Sequence, residues 1–264
     1  MTEFDFSKEY ERLEFIQNPL VDVILRLDFA PILDVDTQEI LAKFQRGIKQ
    51  WFPYYDKKTE YLHRIDSLAI GSKPIEFFAH DFISKDRSQI ISISQTAFVI
   101  NFKQYKSFKQ FEDIFKSNWK LFKNAFSTPS MITRLGLRYV NLIEKEKFMN
   151  KDETWSDLIN PELVPELRSY MQTENQCYIK SLNKDIGLCL QNDNINLRLA
   201  ILKAAEEEKD AFLIDIDSFL EDKTNGIIEE EINECITNFN IKTRNIFRPF
   251  ITPRLLGKLS ATSQ

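Results

Sequence analysis

Val21, Val23, Leu25, Leu27 and Phe29 alternate with Asp22, Ile24, Arg26 and Asp28, the period of a strand that buries one face. Asp36, with Glu39 three positions on, then predicts a capped helix. Its apolar positions Ile40, Leu41, Phe44, Ile48, Trp51 and Phe52 recur at helical spacing until Pro53. Strands are predicted over 60–70, 75–84, 89–94 and 97–103, punctuated by Gly71, Lys73-Pro74 and Lys85-Asp86. Ser107 with Gln110 opens a second capped helix. Phe108, Phe111, Phe115, Phe122 and Phe126 form its core side, and Lys109, Lys116, Lys120 and Lys123 its solvent side. The predicted order is β-α-β-β-β-β-α.

From Met131 the series starts again. A strand runs through Arg134-Leu-Gly-Leu-Arg-Tyr-Val-Asn141 and a proline-started short helix follows Asn160. Strands are predicted near 174–183, 186–192, 194–204 and 210–219, and a final helix from Ile227 to Phe247. Phe126-Ser-Thr-Pro and Phe250-Ile-Thr-Pro stand at corresponding places, each followed by an apolar pair and a basic residue before Leu, which points to duplication. The expected fold class is α+β: tandem β-α-β4-α repeats, residues 1–129 and 130–264, packed as one globular unit. A single curved antiparallel sheet with helices on its convex face covers the most strand surface. This topology is similar to the saddle of TATA-binding proteins, by analogy of element order and without any sequence motif of that family.

At 43% hydrophobic residues, the 264-residue chain can bury a sizeable core. Its six glycines are widely separated, which excludes the glycine-rich loops of dinucleotide and P-loop sites. The net charge of −5, with the acidic excess after residue 130, opposes non-specific binding to polyphosphates. Cys177, Cys189 and Cys235 show no CxxC spacing and read as buried thiols in a reducing compartment. With no apolar run of about 18 residues, a cytoplasmic protein without membrane contact is expected.

Candidate chemistry is sparse. His63-Arg-Ile-Asp66 lacks the spacing of a kinase catalytic loop, and His80-Asp81 reads as a partly buried strand histidine rather than a base. No catalytic residue, cofactor or metal is assigned. Asp215 and Asp217 project from one side of a strand whose other side is Phe212, Ile214, Ile216 and Leu220. They read as a polar network with Asp22 and Asp28, with a divalent cation site as the alternative. Arg26, Arg134 and Arg138 are candidates to bind an anion. Gly136 leaves room between Arg134 and Arg138, and Asp22 or Asp28 is expected to pair with one of them. The stripe of Lys109, Lys116, Lys120 and Lys123 is a candidate partner-docking surface.

Three landmarks resemble a sporadically distributed bacterial family of proteins of about this length and of unassigned function. They are Asn18-Pro-Leu-Val-Asp-Val-Ile-Leu-Arg-Leu-Asp-Phe29, Thr133-Arg-Leu-Gly-Leu-Arg-Tyr-Val-Asn141, and Leu213-Ile-Asp-Ile-Asp-Ser-Phe219 with Phe247-Arg-Pro-Phe-Ile-Thr252. The family's preference for Glu at the place of Asp22 is not met. The resemblance implies a cytoplasmic bacterial protein in a defence, immunity or toxin-neutralising setting, and it assigns no catalytic residue. The expected function is non-catalytic binding of another protein. The alternatives are a nucleic-acid or nucleotide sensor using the concave sheet face, and a metal-dependent phosphoesterase using Asp215 and Asp217.

Overall fold

Val23, Leu25, Leu27 and Phe29 are all at most 3% exposed, so the alternation of that strand sets its buried face. The computed structural model describes residues 8–62, 75–169, 179, 181–190, 193–204, 209–259 and 261–263. His63–Asp66, Gly71, Lys73-Pro74, Cys177 and most of the 174–183 strand lie outside them.

In chain order the elements are β1 (Leu13–Phe15), β2 (Leu20–Phe29), α1 (Gln38–Ile48), β3 (Tyr54–Leu62), β4 (Ile75–Ile83), β5 (Gln89–Ser94), β6 (Ala97–Phe102) and α2 (Phe108–Phe126). There follow β7 (Ile132–Glu144), short helices α3 (Lys145–Phe148), α4 (Trp155–Leu158) and α5 (Glu166–Ser169), then β8 (Asn183–Leu190), β9 (Asp193–Leu202) and β10 (Ala211–Glu221). The chain closes with α6 (Ile232–Phe250), α7 (Pro253–Lys258) and β11 (Ala261–Ser263). This is an α+β protein with antiparallel strand pairing. No helix among the described residues is long and apolar enough to cross a membrane.

Two compact units share these elements. The first comprises Val23–Gly136 with Leu220–Ile232; the second comprises Met1–Asp22, Leu137–Phe219 and Asn233–Gln264.

In the first unit the strands lie in the order β3-β4-β5-β6-β2, each pairing antiparallel. One row across the sheet, Phe82–Ile91–Ile100–Leu25, is fully buried. Phe44 of α1 meets Phe82 edge-on at 5.1 Å, and Phe122 of α2 meets Phe98 at 5.3 Å. Each such ring contributes about 1.5–3 kcal/mol by burial. Ser107 caps α2 as expected, accepting from the Gln110 amide at 3.2 Å.

The α1 cap differs from expectation. Thr37 occupies the cap position and Asp36 ends a short 3-10 turn, because its carboxylate is drawn to His80 and Gln95 instead. The helix stops at Ile48, so Trp51 falls in the following turn at 60% exposure while Phe52 is buried. Strand β3 starts directly after Pro53, earlier than residue 60.

In the second unit β7 lies beside β10, which pairs antiparallel with β9, and β9 with β8. Leu197, Leu199, Phe212, Ile214 and Ile216 share a core with Ile246, Phe247 and Phe250 of α6. No helix starts at Pro161. The Asn160 side chain accepts from the Glu162 amide at 3.0 Å and donates to the Pro249 carbonyl at 3.0 Å, making a side-chain turn that competes with a helix. α6 starts at Ile232, after a 3-10 turn at Glu229–Glu231, and runs past Phe247 with Pro249 in its last turn. The two Phe-x-Thr-Pro segments follow helices of 19 residues each, but they act differently. After Phe126, Ser127 takes a φ of 72° and the chain goes on to β7; after Phe250, Thr252 caps α7 with Pro253 in its first turn.

Candidate binding face

On β10 the residues alternate: Ile214 and Ile216 enter the core, which sends Asp215 and Asp217 to the opposite side of the sheet. Register carries the polar pattern across three strands. Asp215 lies opposite Arg198, which lies opposite Asp185, and Asp217 lies opposite Asn196, which lies opposite Gly187. Arg138 joins this face from β7. Together these residues line an open groove of about 400 Å³.

Arg138 and Asp215 form the groove's central contact. Arg138 Nε donates to Asp215 Oδ1 at 2.8 Å and Nη2 to Oδ2 at 2.6 Å, a fork-to-fork geometry that fixes both side chains. The Asp215 side chain is 7% exposed and that of Arg138 is 45% exposed. Hydrogen bonding to Asp215 raises the Arg138 pKa against the opposing effect of burial, and the Asp215, Asp217 and Asp22 charges add to the rise. Arg198 Nε lies 3.3 Å from Asn183 Oδ1 and 3.9 Å from Asp185. The face thus presents donors and acceptors of both signs.

Of the predicted pairings, Asp28 with Arg134 forms, at 4.0 Å, whereas Arg138 takes neither Asp22 nor Asp28. Asp215 takes both guanidinium bonds, since neighbouring strands set this contact, and Asp22 acts on Arg138 only through its charge. One Asp22 oxygen is buried without a hydrogen-bond donor. In the first unit Asp28 is held by Arg26, with Nε at 2.8 Å and Nη2 at 2.7 Å from the same oxygen. Arg134 reaches Asp28 at 4.0 Å. The space over Gly136 is taken by Arg134 itself: a β-carbon there would meet its guanidinium at 2.8 Å.

The lysine stripe is largely neutralised within its own unit. Lys109 pairs with Asp113 and Lys116 with Glu112, each at 2.8 Å, Lys123 pairs with Glu229, and Lys120 is exposed. Among the described residues no group of three or more His, Cys, Asp or Glu side chains is placed to hold a metal ion. Cys189 is exposed, contrary to expectation, because alternate residues of the edge strand β8 face solvent; Cys235 is half-buried.

Sequence reasoning missed Arg198, Asn196 and Asp185, which only the register of β8 and β9 brings to Asp215. His80, expected to be partly buried, is buried and has two partners. In the first unit this buried ring lies with Nε2 2.8 Å from Asp36 Oδ1 and Nδ1 2.9 Å from the Tyr55 hydroxyl, and Gln95 donates to the other Asp36 oxygen at 2.7 Å. Burial first, then the Asp36 and Asp56 charges, raise the Tyr55 pKa, which opposes a nucleophilic tyrosinate.

No protein-family model matches the chain, and no curated protein does. Among solved structures, "Methanococcus jannaschii TBP" is similar over 85% of this chain and 97% of that chain, at 10% identity and a TM-score of 0.27.

Proposed function

We propose that this chain is a non-catalytic interaction protein that docks another protein on the Arg138–Asp215 groove. The supporting observation is the partnering of the arginines. Arg26, Arg134 and Arg138 all have a carboxylate within 4.0 Å, and that of Arg138 is buried, so none stands ready to read phosphate. Both Asp215 oxygens are occupied by Arg138, so a cation-dependent phosphoesterase would first have to break that pair. A rigid face of mixed charge suits the polar surface of a protein.

The resemblance of the three sequence landmarks supports a cytoplasmic setting in bacterial defence, immunity or toxin neutralisation. We further propose the tandem β-α-β4-α duplication and the curved, saddle-like sheet. This rests on the succession of strand, helix, antiparallel strands and long helix in both halves, with three described strands, β8–β10, in the second against four, β3–β6, in the first, and on the matching lengths of α2 and α6.

The test uses Gly187, where an added β-carbon meets nothing within 4 Å. Purification from the native host is expected to bring down a stoichiometric protein partner, and Gly187→Trp is expected to release it while leaving the melting temperature unchanged. A chain that purifies alone overturns the proposal. So does polynucleotide binding that weakens steeply with added salt.

A further inference from the structure

Two arginines outside the groove lack what those three possess. Arg244 and Arg248 are one turn apart on α6, the spacing at which side chains share a helix face. Nε of Arg244, and both Nε and Nη1 of Arg248, are buried without a hydrogen-bond acceptor. Their neighbourhood comes from the N-terminal segment, pinned there by the Tyr10 amide donating to Asn245 Oδ1 at 3.1 Å, and, for Arg244, also from Tyr139 of β7. Arg248 and Lys8 approach the Tyr10 ring at 5.7 and 5.3 Å. Arg12 adds a like charge near Arg244, whereas Glu9 and Glu11 act on Arg244 and Arg248 only through their charge. Burial pulls both arginines below their ordinary pKa range, with Arg12 adding to the effect on Arg244.

Desolvated guanidinium donors without acceptors are a standing cost to folding, and buried polar atoms in that state call for an explanation. The forked donors of a guanidinium match the oxygens of phosphoryl and carboxylate groups. We propose that Arg244 and Arg248, with Arg12, form a binding site for a small oxyanion whose oxygens supply the missing acceptors. This site uses none of the groove residues and stands or falls apart from the protein-docking proposal.

The full chain is titrated by calorimetry with inorganic phosphate and, separately, with succinate at constant ionic strength. Saturable binding of at least one is expected, phosphate marking a phosphoryl ligand and succinate alone a carboxylate. Arg244→Gln with Arg248→Gln should weaken binding at least about tenfold, since two charge-assisted contacts are lost. Arg244→Lys with Arg248→Lys should give an intermediate loss, and Arg198→Gln none. Without ligand, the double Gln variant should melt close to the parent, because the unpaired charge it removes offsets the lost contact of Arg248 with the Tyr10 ring. Binding that is absent, that follows ionic strength alone, or that persists in the double Gln variant overturns the proposal. A marked fall in the ligand-free melting temperature of that variant does so too, since it reveals a structural partner beyond the Tyr10 ring.

Discussion

Arg138 and Asp215 carry unequal shares of one ion pair, since the carboxylate is buried and the guanidinium is half in water. Removing the arginine leaves a buried anion without its donors, whereas removing the aspartate leaves a cation that solvent can reach. Arg138→Ala should therefore cost about 1–3 kcal/mol, and Asp215→Ala about 0–1 kcal/mol. Urea midpoints of the two variants decide it, and equal losses contradict the asymmetry.

The Tyr55 hydroxyl supplies a second prediction. Its pKa is higher in the folded chain than in the unfolded one, so the folded state keeps the proton longer. Stability is fully present below the unfolded value near 10 and is lost as pH rises through the folded value. Tyr55→Phe should lose about 0.5–1.5 kcal/mol at neutral pH from the missing His80 contact, and should lose stability less steeply above pH ~10 than the parent. Denaturant unfolding across that range compares the two slopes.

Acid affects the β4–β5 turn. Ser84 and Ser88 donate to Asp86 at 2.7 to 3.1 Å, which lowers its pKa to about 2. A folded value below the unfolded one means that this contribution is present above the unfolded pKa and disappears as pH falls through about 2. The Asp86 carboxyl carbon should thus titrate near pH 2 by NMR in the folded chain, and a midpoint near 4 would show that the serine bonds do not persist in solution.

Gly226 carries a φ of +79°, and an added β-carbon would lie 2.7 Å from Met131 Cγ and 3.3 Å from the Ile132 carbonyl oxygen. Gly226→Ala should destabilise by about 1–3 kcal/mol, from backbone strain as well as crowding. Gly187→Ala, which meets nothing, should not destabilise at all. Side-by-side thermal unfolding of the pair distinguishes a required glycine from a permissive one.

The legible parts of this protein were those decided by neighbours in sequence. Alternation placed Val23, Leu25, Leu27 and Phe29 in the core, and Ser107 marked the start of α2. The same periodicity placed Asp215 and Asp217 on one face. It could not supply their partners, because Arg138 and Arg198 arrive through the order and register of strands distant along the chain. Asp36 failed as a cap for the same reason: a local signal lost to His80, forty-four positions away. Arg244 and Arg248 gave no sign in sequence, since a basic pair on a helix reads as solvated until burial is known.

The pairing of β1 with β11, Leu13 opposite Ser263 and Phe15 opposite Ala261, ties together strands from opposite ends of the described chain. During synthesis β1 emerges ahead of every other element described and must wait for β11, while most of the first unit is a continuous stretch that needs only Leu220–Ile232 to be complete. A ribosome paused before α6 therefore displays a nearly finished first unit and a second unit whose apolar sheet face, with Ile214 and Ile216, lacks the cover of Ile246, Phe247 and Phe250. That interval is when the chain is most exposed to chaperones and to aggregation, and slow translation of the codons from α6 to β11 would lengthen it.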